Sequence, residues 1–198
     1  MARDYEVWER DDPRYPAAFQ DLSNPPRRLW AVGDARVLER THIAVVGTRR
    51  PTLYGARVAR QLGYVLGKAG ACVVSGLAAG IDAAAHDGAL DANGRTCAIL
   101  GTGIDVTYPA ANRSLQERIS DSGLLLSEYG PGQPAAPWTF PQRNRLIAAL
   151  ARATIVVEAG KKSGALITAA IAGDLGRTVA AVPGPIDSAQ AEGSNGLI

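Results

Sequence analysis

Five short runs of strand-forming residues recur along the chain, each closed by a small or polar turn. They are Ile43-Ala-Val-Val46 before Gly47, Cys72-Val-Val74 before Ser75-Gly76, Cys97-Ala-Ile-Leu100 before Gly101, Thr154-Ile-Val-Val157 before Glu158, and Val179-Ala-Ala-Val182 before Pro183. No other feature limits the fold as tightly, because a strand that is apolar throughout has to be covered on both faces. Between most of the runs lie Ala/Leu-rich windows with helical patterning, at residues 55–68, 82–91, 144–151 and 165–175. Strands alternating with helices in this way predict a doubly wound α/β domain with a mostly parallel sheet. Gly70, Gly94, Gly123 and Gly176 follow helical stretches, where a left-handed C-cap is wanted, and Asp82 stands before Ala83-Ala-Ala85 as an N-cap or first-turn acid.

Residues 1–41 break this rhythm. Tyr15-Pro16, Pro25-Pro26 and Leu29-Trp-Ala-Val32 read as an irregular arm packed on the domain, with room for one extra strand, and residues 42–198 read as the domain proper. A chain of 198 residues that is 46% hydrophobic buries a sizeable core and suits one domain. With 21 Lys+Arg against 19 Asp+Glu, any basic surface has to be local. Cys72 and Cys97 both lie in apolar runs, which favours buried free thiols over a disulfide and implies a reducing compartment. The start, Met1-Ala-Arg-Asp-Tyr-Glu6, is polar, and no stretch is long and apolar enough to span a bilayer. A cytoplasmic location without membrane contact is expected.

In a doubly wound sheet the ligand crevice lies outside the carboxyl ends of the strands, where loops enter helix N-termini whose free N–H groups favour anions. The loops delivered there are Gly47-Thr-Arg-Arg50, Ser75-Gly76, Gly101-Thr-Gly103 and Ala159-Gly-Lys-Lys-Ser-Gly164. Hydroxyls, glycines and cations dominate them, so an anion site is expected, with phosphate the anion. Phe140-Pro-Gln-Arg-Asn-Arg145, just ahead of a helical run, adds an aromatic face together with Arg143, Asn144 and Arg145 as donors. That pairing suits single-stranded nucleic acid. Taken alone, the same hexapeptide also reads as a helix start with a solvated basic turn.

Other chemistries lack their signatures. Gly47-Thr-Arg-Arg-Pro-Thr52 puts Arg49 where a dinucleotide fingerprint needs its second glycine, and no complete phosphate-binding P-loop follows any strand. Ser75 is flanked by Val73 and Leu77 in place of the glycines of a nucleophile elbow. Asp82 and His86 share one helical face and are expected to form a structural pair. Asp105, Glu128 and Glu158 stand alone near turns, where capping or neutralising nearby arginines is their expected role. No cofactor, metal site or catalytic residue is expected.

Read in order, Tyr15-Pro16, Pro25-Pro26, Gly47-Thr-Arg49, Tyr54-Gly55, Ser75-Gly-Leu-Ala-Ala-Gly-Ile-Asp82, Tyr108-Pro109, Ser127-Glu128, Phe140-Pro-Gln-Arg-Asn-Arg145, Val156-Val-Glu-Ala159, Ser163-Gly-Ala-Leu-Ile-Thr168, Val182-Pro-Gly184 and Gly193-Ser-Asn195 resemble the DNA-processing protein A (DprA/Smf) family. The resemblance covers nearly the whole chain. It implies an extended Rossmann-like domain that binds single-stranded DNA, protects incoming strands and assists loading of the RecA recombinase in natural transformation or recombination. The implied protein is a binding protein and not an enzyme. The site residues expected from the loops and the resemblance together are Gly47, Thr48, Arg49, Arg50, Phe140, Arg143, Asn144, Arg145, Lys161, Ser163 and Gly164. Family members often carry a Lys or His shortly before the Phe-Pro-x-Arg-Asn-Arg segment, where this chain has Ala136-Pro-Trp-Thr139. Trp138 is then the residue placed to stack.

Relatives continue past the position of Ile198, so the domain is expected to be cut short at its C-terminal end. Much of the surface that pairs two subunits belongs to that continuation. A homodimer and RecA loading are therefore weaker expectations for this chain than DNA binding. The alternative reading is a nucleotide-binding protein or a phosphoribohydrolase of related fold acting on nucleoside monophosphates. Its Pro-Gly-Gly-x-Gly-Thr turn is replaced here by Glu158-Ala-Gly-Lys-Lys-Ser-Gly164.

Overall fold

The computed structural model of the chain describes residues 4–198. One eight-stranded sheet organises it, in the spatial order β1 (Glu6–Glu9), β2 (Arg28–Gly33), β6 (Leu124–Ser127), β5 (Arg95–Leu100), β4 (Cys72–Ser75), β3 (His42–Val46), β7 (Ala153–Val156) and β8 (Thr178–Ala181). From β6 to β8 all neighbours are parallel, whereas β1 on β2 and β2 on β6 are antiparallel. The doubly wound, mostly parallel sheet expected from the sequence is the fold observed.

Alternation along each central strand sends successive residues to opposite cores. Ala44, Val46, Cys72, Val74, Cys97, Ile99, Leu124 and Leu126 face α4 (Thr139–Leu150), α5 (Gly164–Asp174) and the arm residues Trp8, Tyr15 and Phe19. Val45, Val73 and Val157 face α1 (Leu53–Lys68) and α2 (Ile81–Asp91), and Ala98, Leu100 and Leu125 face α3 (Arg113–Ser122). The buried side of α1 is a ridge of small residues at every fourth position, Gly55, Ala59, Gly63 and Gly67. A Cβ on Gly63 would fall 2.1 Å from the Ala85 carbonyl oxygen, so the missing side chain is what lets α2 lie against α1.

The arm contributes two strands, β1 and β2, where the sequence left room for one. The Tyr15 hydroxyl donates to the Pro26 carbonyl at 2.7 Å and pins the segment between them. β6 and α3 have no counterpart among the expected strands and windows. Leu124-Leu-Leu is not β-branched, and α3 turns only Leu115, Gln116, Ile119 and Ser120 inward. Gly70 (φ 79°) and Gly176 (φ 67°) are left-handed as expected, but after α2 the left-handed residue is Asn93 (φ 53°) and not Gly94. Gly94 and Gly123 are there for close approach instead: a Cβ would lie 2.4 Å from Gly67 Cα and 2.2 Å from the Thr96 carbonyl oxygen, respectively. Cys72 and Cys97 are buried free thiols, and burial pushes both upward in pKa.

Candidate functional site

From β3 the chain winds to β4, β5 and β6 on one side, and then returns to place β7 on the other. The crevice outside the carboxyl ends of β3 and β7 is thus a topological switch point, where open α/β sheets bind ligands. A cleft of about 930 Å³ opens there. Gly47, Thr48 and Arg49 enter it from β3, Gly160 to Gly164 from β7, and Phe140, Arg143 and Asn144 from α4.

The first wall is held by backbone contacts. Thr48 N donates to the Glu158 carbonyl at 2.7 Å, and Ile81 N donates to the Thr48 carbonyl at 3.2 Å. A Cβ on Gly47 would lie 2.6 Å from Ile81 Cγ1 and 2.8 Å from that same Glu158 oxygen, so only glycine fits the turn. Glu158 is not among the residues that line the cleft. It accepts from Thr52 N at 3.0 Å and from the Thr52 hydroxyl at 2.5 Å, while Thr52 Oγ1 accepts from Gly55 N at 3.1 Å. Thr52 is therefore the N-cap of α1, and Glu158 holds it in place.

On the opposite wall, α4 starts at Thr139, earlier than the helical window at 144–151, and takes the whole Phe-Pro-Gln-Arg-Asn-Arg segment into its first turns. Pro141 is tolerated this close to a helix start, where its missing N–H has no partner to lose. Helical spacing puts Phe140, Arg143 and Asn144 on one face. The Phe140 ring lies against Gly101, where a Cβ would fall 2.8 Å from its Cδ1, and 5.2 Å centroid to centroid from Tyr108. The Arg49 guanidinium sits over it at 4.9 Å. Asn144 Nδ2 donates to the Gly164 carbonyl at 3.2 Å, and Ser163 caps α5 by accepting from Ala165 N at 3.3 Å.

Arg143 lines the cleft but is only 3% exposed, its guanidinium being enclosed. Its Nη1 donates to the Gly76 carbonyl at 2.7 Å and also to the Ile99 carbonyl, tying together the ends of β4 and β5. The side chain passes so close to Gly76 that a Cβ there would lie 2.5 Å from Nη2. Burial lowers its pKa to about 10, opposed by the charge of Asp82, so it stays protonated at neutral pH. Burial raises the Asp82 carboxyl, and Arg143 and the loop N–H groups of Ala78 and Gly76 pull it back. Arg143 is the floor of the cleft.

Arg145 does not line the cleft. Five residues beyond Phe140 it leaves the cleft face and pairs with Glu128, the side chains being 19% and 11% exposed. Arg50 is exposed but lies outside the cleft, its backbone N–H donating to Thr48 Oγ1 at 3.2 Å. Lys161 lines the cleft while paired with Glu192. Nine of the eleven expected site residues thus meet in one cleft, and Arg50 and Arg145 do not. Tyr108 also lines it, although only the family landmarks had touched that residue. Trp138 is 54% exposed beside the cleft, edge-on to Tyr129 at 5.9 Å.

The Asp82–His86 pair does not form. Asp82 Oδ2 accepts from Gly76 N at 3.0 Å, whereas His86 Nδ1 lies 2.6 Å from Thr96 Oγ1. Because the Thr96 hydroxyl donates to the Val73 carbonyl at 2.7 Å, it accepts from His86, which fixes the Nδ1–H tautomer. Nε2 is left buried without a hydrogen-bond partner among the described residues, and burial lowers the pKa of the ring to about 3. Ser75 Oγ donates to the Val45 carbonyl at 2.6 Å.

A family model described as DNA recombination-mediator protein A matches residues 6–198. Protein Smf of Synechocystis sp. is 46% identical over 192 residues, covering 95% of this chain and 48% of that protein. The structure of DNA processing protein A (DprA) from Streptococcus pneumoniae superposes with a TM-score of 0.93 at 40% identity, over 99% of this chain and 69% of that one. DprA from Helicobacter pylori, whose structure was described for its single-stranded DNA binding mode, gives 0.90 at 33% identity, over 98% and 86%. The chain spans about half the length of the first curated relatives it matches.

Proposed function

Because this chain belongs to the DNA recombination-mediator protein A family, we propose that it binds single-stranded DNA in the cleft at the β3–β7 switch point. One observation carries the reading: an aromatic ring, Phe140, lies under the guanidinium of Arg49 in a cleft walled by the glycine-bearing loops after β3 and β7. Single strands are held by stacking on aromatic faces and by cations that track the phosphates. The Helicobacter pylori relative, which binds single-stranded DNA, shares the fold across 98% of the chain.

In this reading Arg49 neutralises a phosphate and Phe140 stacks on a base. Gly47, Thr48, Lys161, Ser163 and Gly164 offer the strand a close backbone approach with further cation and hydroxyl contacts. At Gly164 a Cβ would meet nothing within 4 Å, so there is open space for a phosphate. Asn144 positions that loop through Gly164, and Arg143 holds the floor. The protein acts by binding and does no chemistry. Glu158, the acid in the turn after β7, is engaged by Thr52, the N-cap of α1, which disfavours a phosphoribohydrolase. Delivery of the bound strand to RecA, pairing of two subunits, and service in transformation or recombination enter the proposal through the family alone.

The test is a salt-dependent titration with oligothymidylate and with a duplex of equal length. Tighter binding of the single strand, with affinity falling as salt rises, is expected. Equal affinity for the duplex, or turnover of nucleoside monophosphates, would overturn it.

A further inference from the structure

The outer face of α1 carries a pattern the cleft does not use. Tyr54, Arg57, Gln61, Tyr64 and Lys68 recur at spacings of three and four, so they form one stripe along the helix. All five are exposed. The Arg57 guanidinium sits over the Tyr54 ring at 6.0 Å, and the Lys68 ammonium over the Tyr64 ring at 5.6 Å. α1 contains no acidic residue. Arg60, on its flank, pairs with Asp91, but among the described residues neither Arg57 nor Lys68 enters an ion pair. The packing of α1 is done by the opposite, glycine-rich face, so the stripe is not needed for the core.

This stripe starts one short loop away from the cleft. The loop that carries Gly47, Thr48 and Arg49 runs into α1, and Arg50 between them is exposed and outside the cleft. We propose that a single strand held in the cleft continues along α1, its phosphates met by Arg50, Arg57 and Lys68 and its bases resting on Tyr54 and Tyr64. The proposal rests on the cleft being a single-stranded DNA site. Alternating cations and exposed rings suit a flexible polyanion whose bases each present a π-face, and a duplex cannot lay successive bases on them. From Tyr54 to Lys68 the helix spans about 21 Å, enough for several nucleotides beyond those in the cleft.

Two oligothymidylates test it, one of about six nucleotides and one of about eighteen, against sites of roughly 4–16 nucleotides for a single-strand-binding OB fold. The wild-type chain should show a steeper dependence of log affinity on log salt with the longer strand. The double variant Arg57→Ala/Lys68→Ala should lose about 1.4 units of that slope on the longer strand, about 0.7 for each phosphate contact. On the short strand it should match the wild type. A Tyr54→Phe/Tyr64→Phe variant, which keeps both rings, should bind the longer strand as the wild type does. Binding of the short strand with no added slope on the long one, or a full slope in the Arg57/Lys68 variant, would overturn the α1 path and leave the cleft standing. Failure of both strands to bind would overturn the cleft reading and this proposal with it.

Discussion

Arg49 and Phe140 cannot both serve a bound strand in the arrangement they hold now. The guanidinium lies over the ring at 4.9 Å, and Tyr108 crowds the ring at 5.2 Å. If a base is to stack on Phe140, Arg49 has to swing off to a phosphate, and the cation–π contact, about 0.5–1 kcal/mol at an exposed site, is given up on binding. A double-mutant cycle reads this directly. Phe140→Ala loses the stacking, about 1–3 kcal/mol, but no longer has a cation–π contact to break. Arg49→Ala loses its phosphate contact and regains the same amount. The double variant regains it only once, so its loss of affinity should exceed the sum of the single losses by about 0.5–1 kcal/mol, a two- to fivefold excess in Kd. The assay is fluorescence anisotropy with oligothymidylate for the four proteins at fixed salt. Strictly additive losses would mean that the ring and the guanidinium stay together in the complex. A double variant weaker by less than the sum would mean the base rests on Arg49 itself. Either result refutes displacement.

Three further outcomes follow from the same geometry. Arg143→Ala leaves the Gly76 and Ile99 carbonyls and the buried Asp82 without their cation, so it should cost about 3–5 kcal/mol of folding stability by denaturant titration, and an unperturbed midpoint would contradict its role as the floor. His86 binds a proton in the unfolded chain below its ordinary pKa of 6.5 but not in the folded one until about 3, so stability should fall as pH drops through that window, by up to about 1.4 kcal/mol per pH unit; a His86→Gln variant with the same acid slope as the wild type would show that the ring is not the source. Arg145→Ala, which unpairs Glu128 outside the cleft, should leave the salt dependence of DNA binding unchanged while Arg49→Ala lowers its slope by about 0.7.

The sheet's centre is legible because its strands are both apolar throughout and, for the most part, β-branched. Ile43-Ala-Val-Val46 and Thr154-Ile-Val-Val157 name themselves in that way, and β3 and β7 follow. Leu124-Leu-Leu-Ser127 does not, since leucine suits a helix as well as a strand, and only pairing between β5 and β2 decides it. The outermost strand, β1, is hidden for a related reason. Glu6–Glu9 buries Trp8 alone, and one inward residue in four sets no period.

At the site, sequence spacing names the residues that share the cleft but not what each is for. Residues 140, 143 and 144 fall on one helical face, yet only the packing around Gly76 shows that Arg143 is enclosed while Phe140 and Asn144 meet the open cleft. An arginine three residues from an aromatic reads as a second phosphate donor until the neighbouring loops are placed. The glycines are then the residues that separate the roles. Gly76 makes room for a guanidinium, at 2.5 Å from a would-be Cβ, and Gly101 for a ring, at 2.8 Å. The two loops follow adjacent parallel strands, β4 and β5, so the floor and the stacking face are set by neighbouring turns of one sheet edge. Moving either turn shifts the arginine or the ring. Because α4 carries both side chains, a change at Gly76 should disturb Phe140 as well as Arg143.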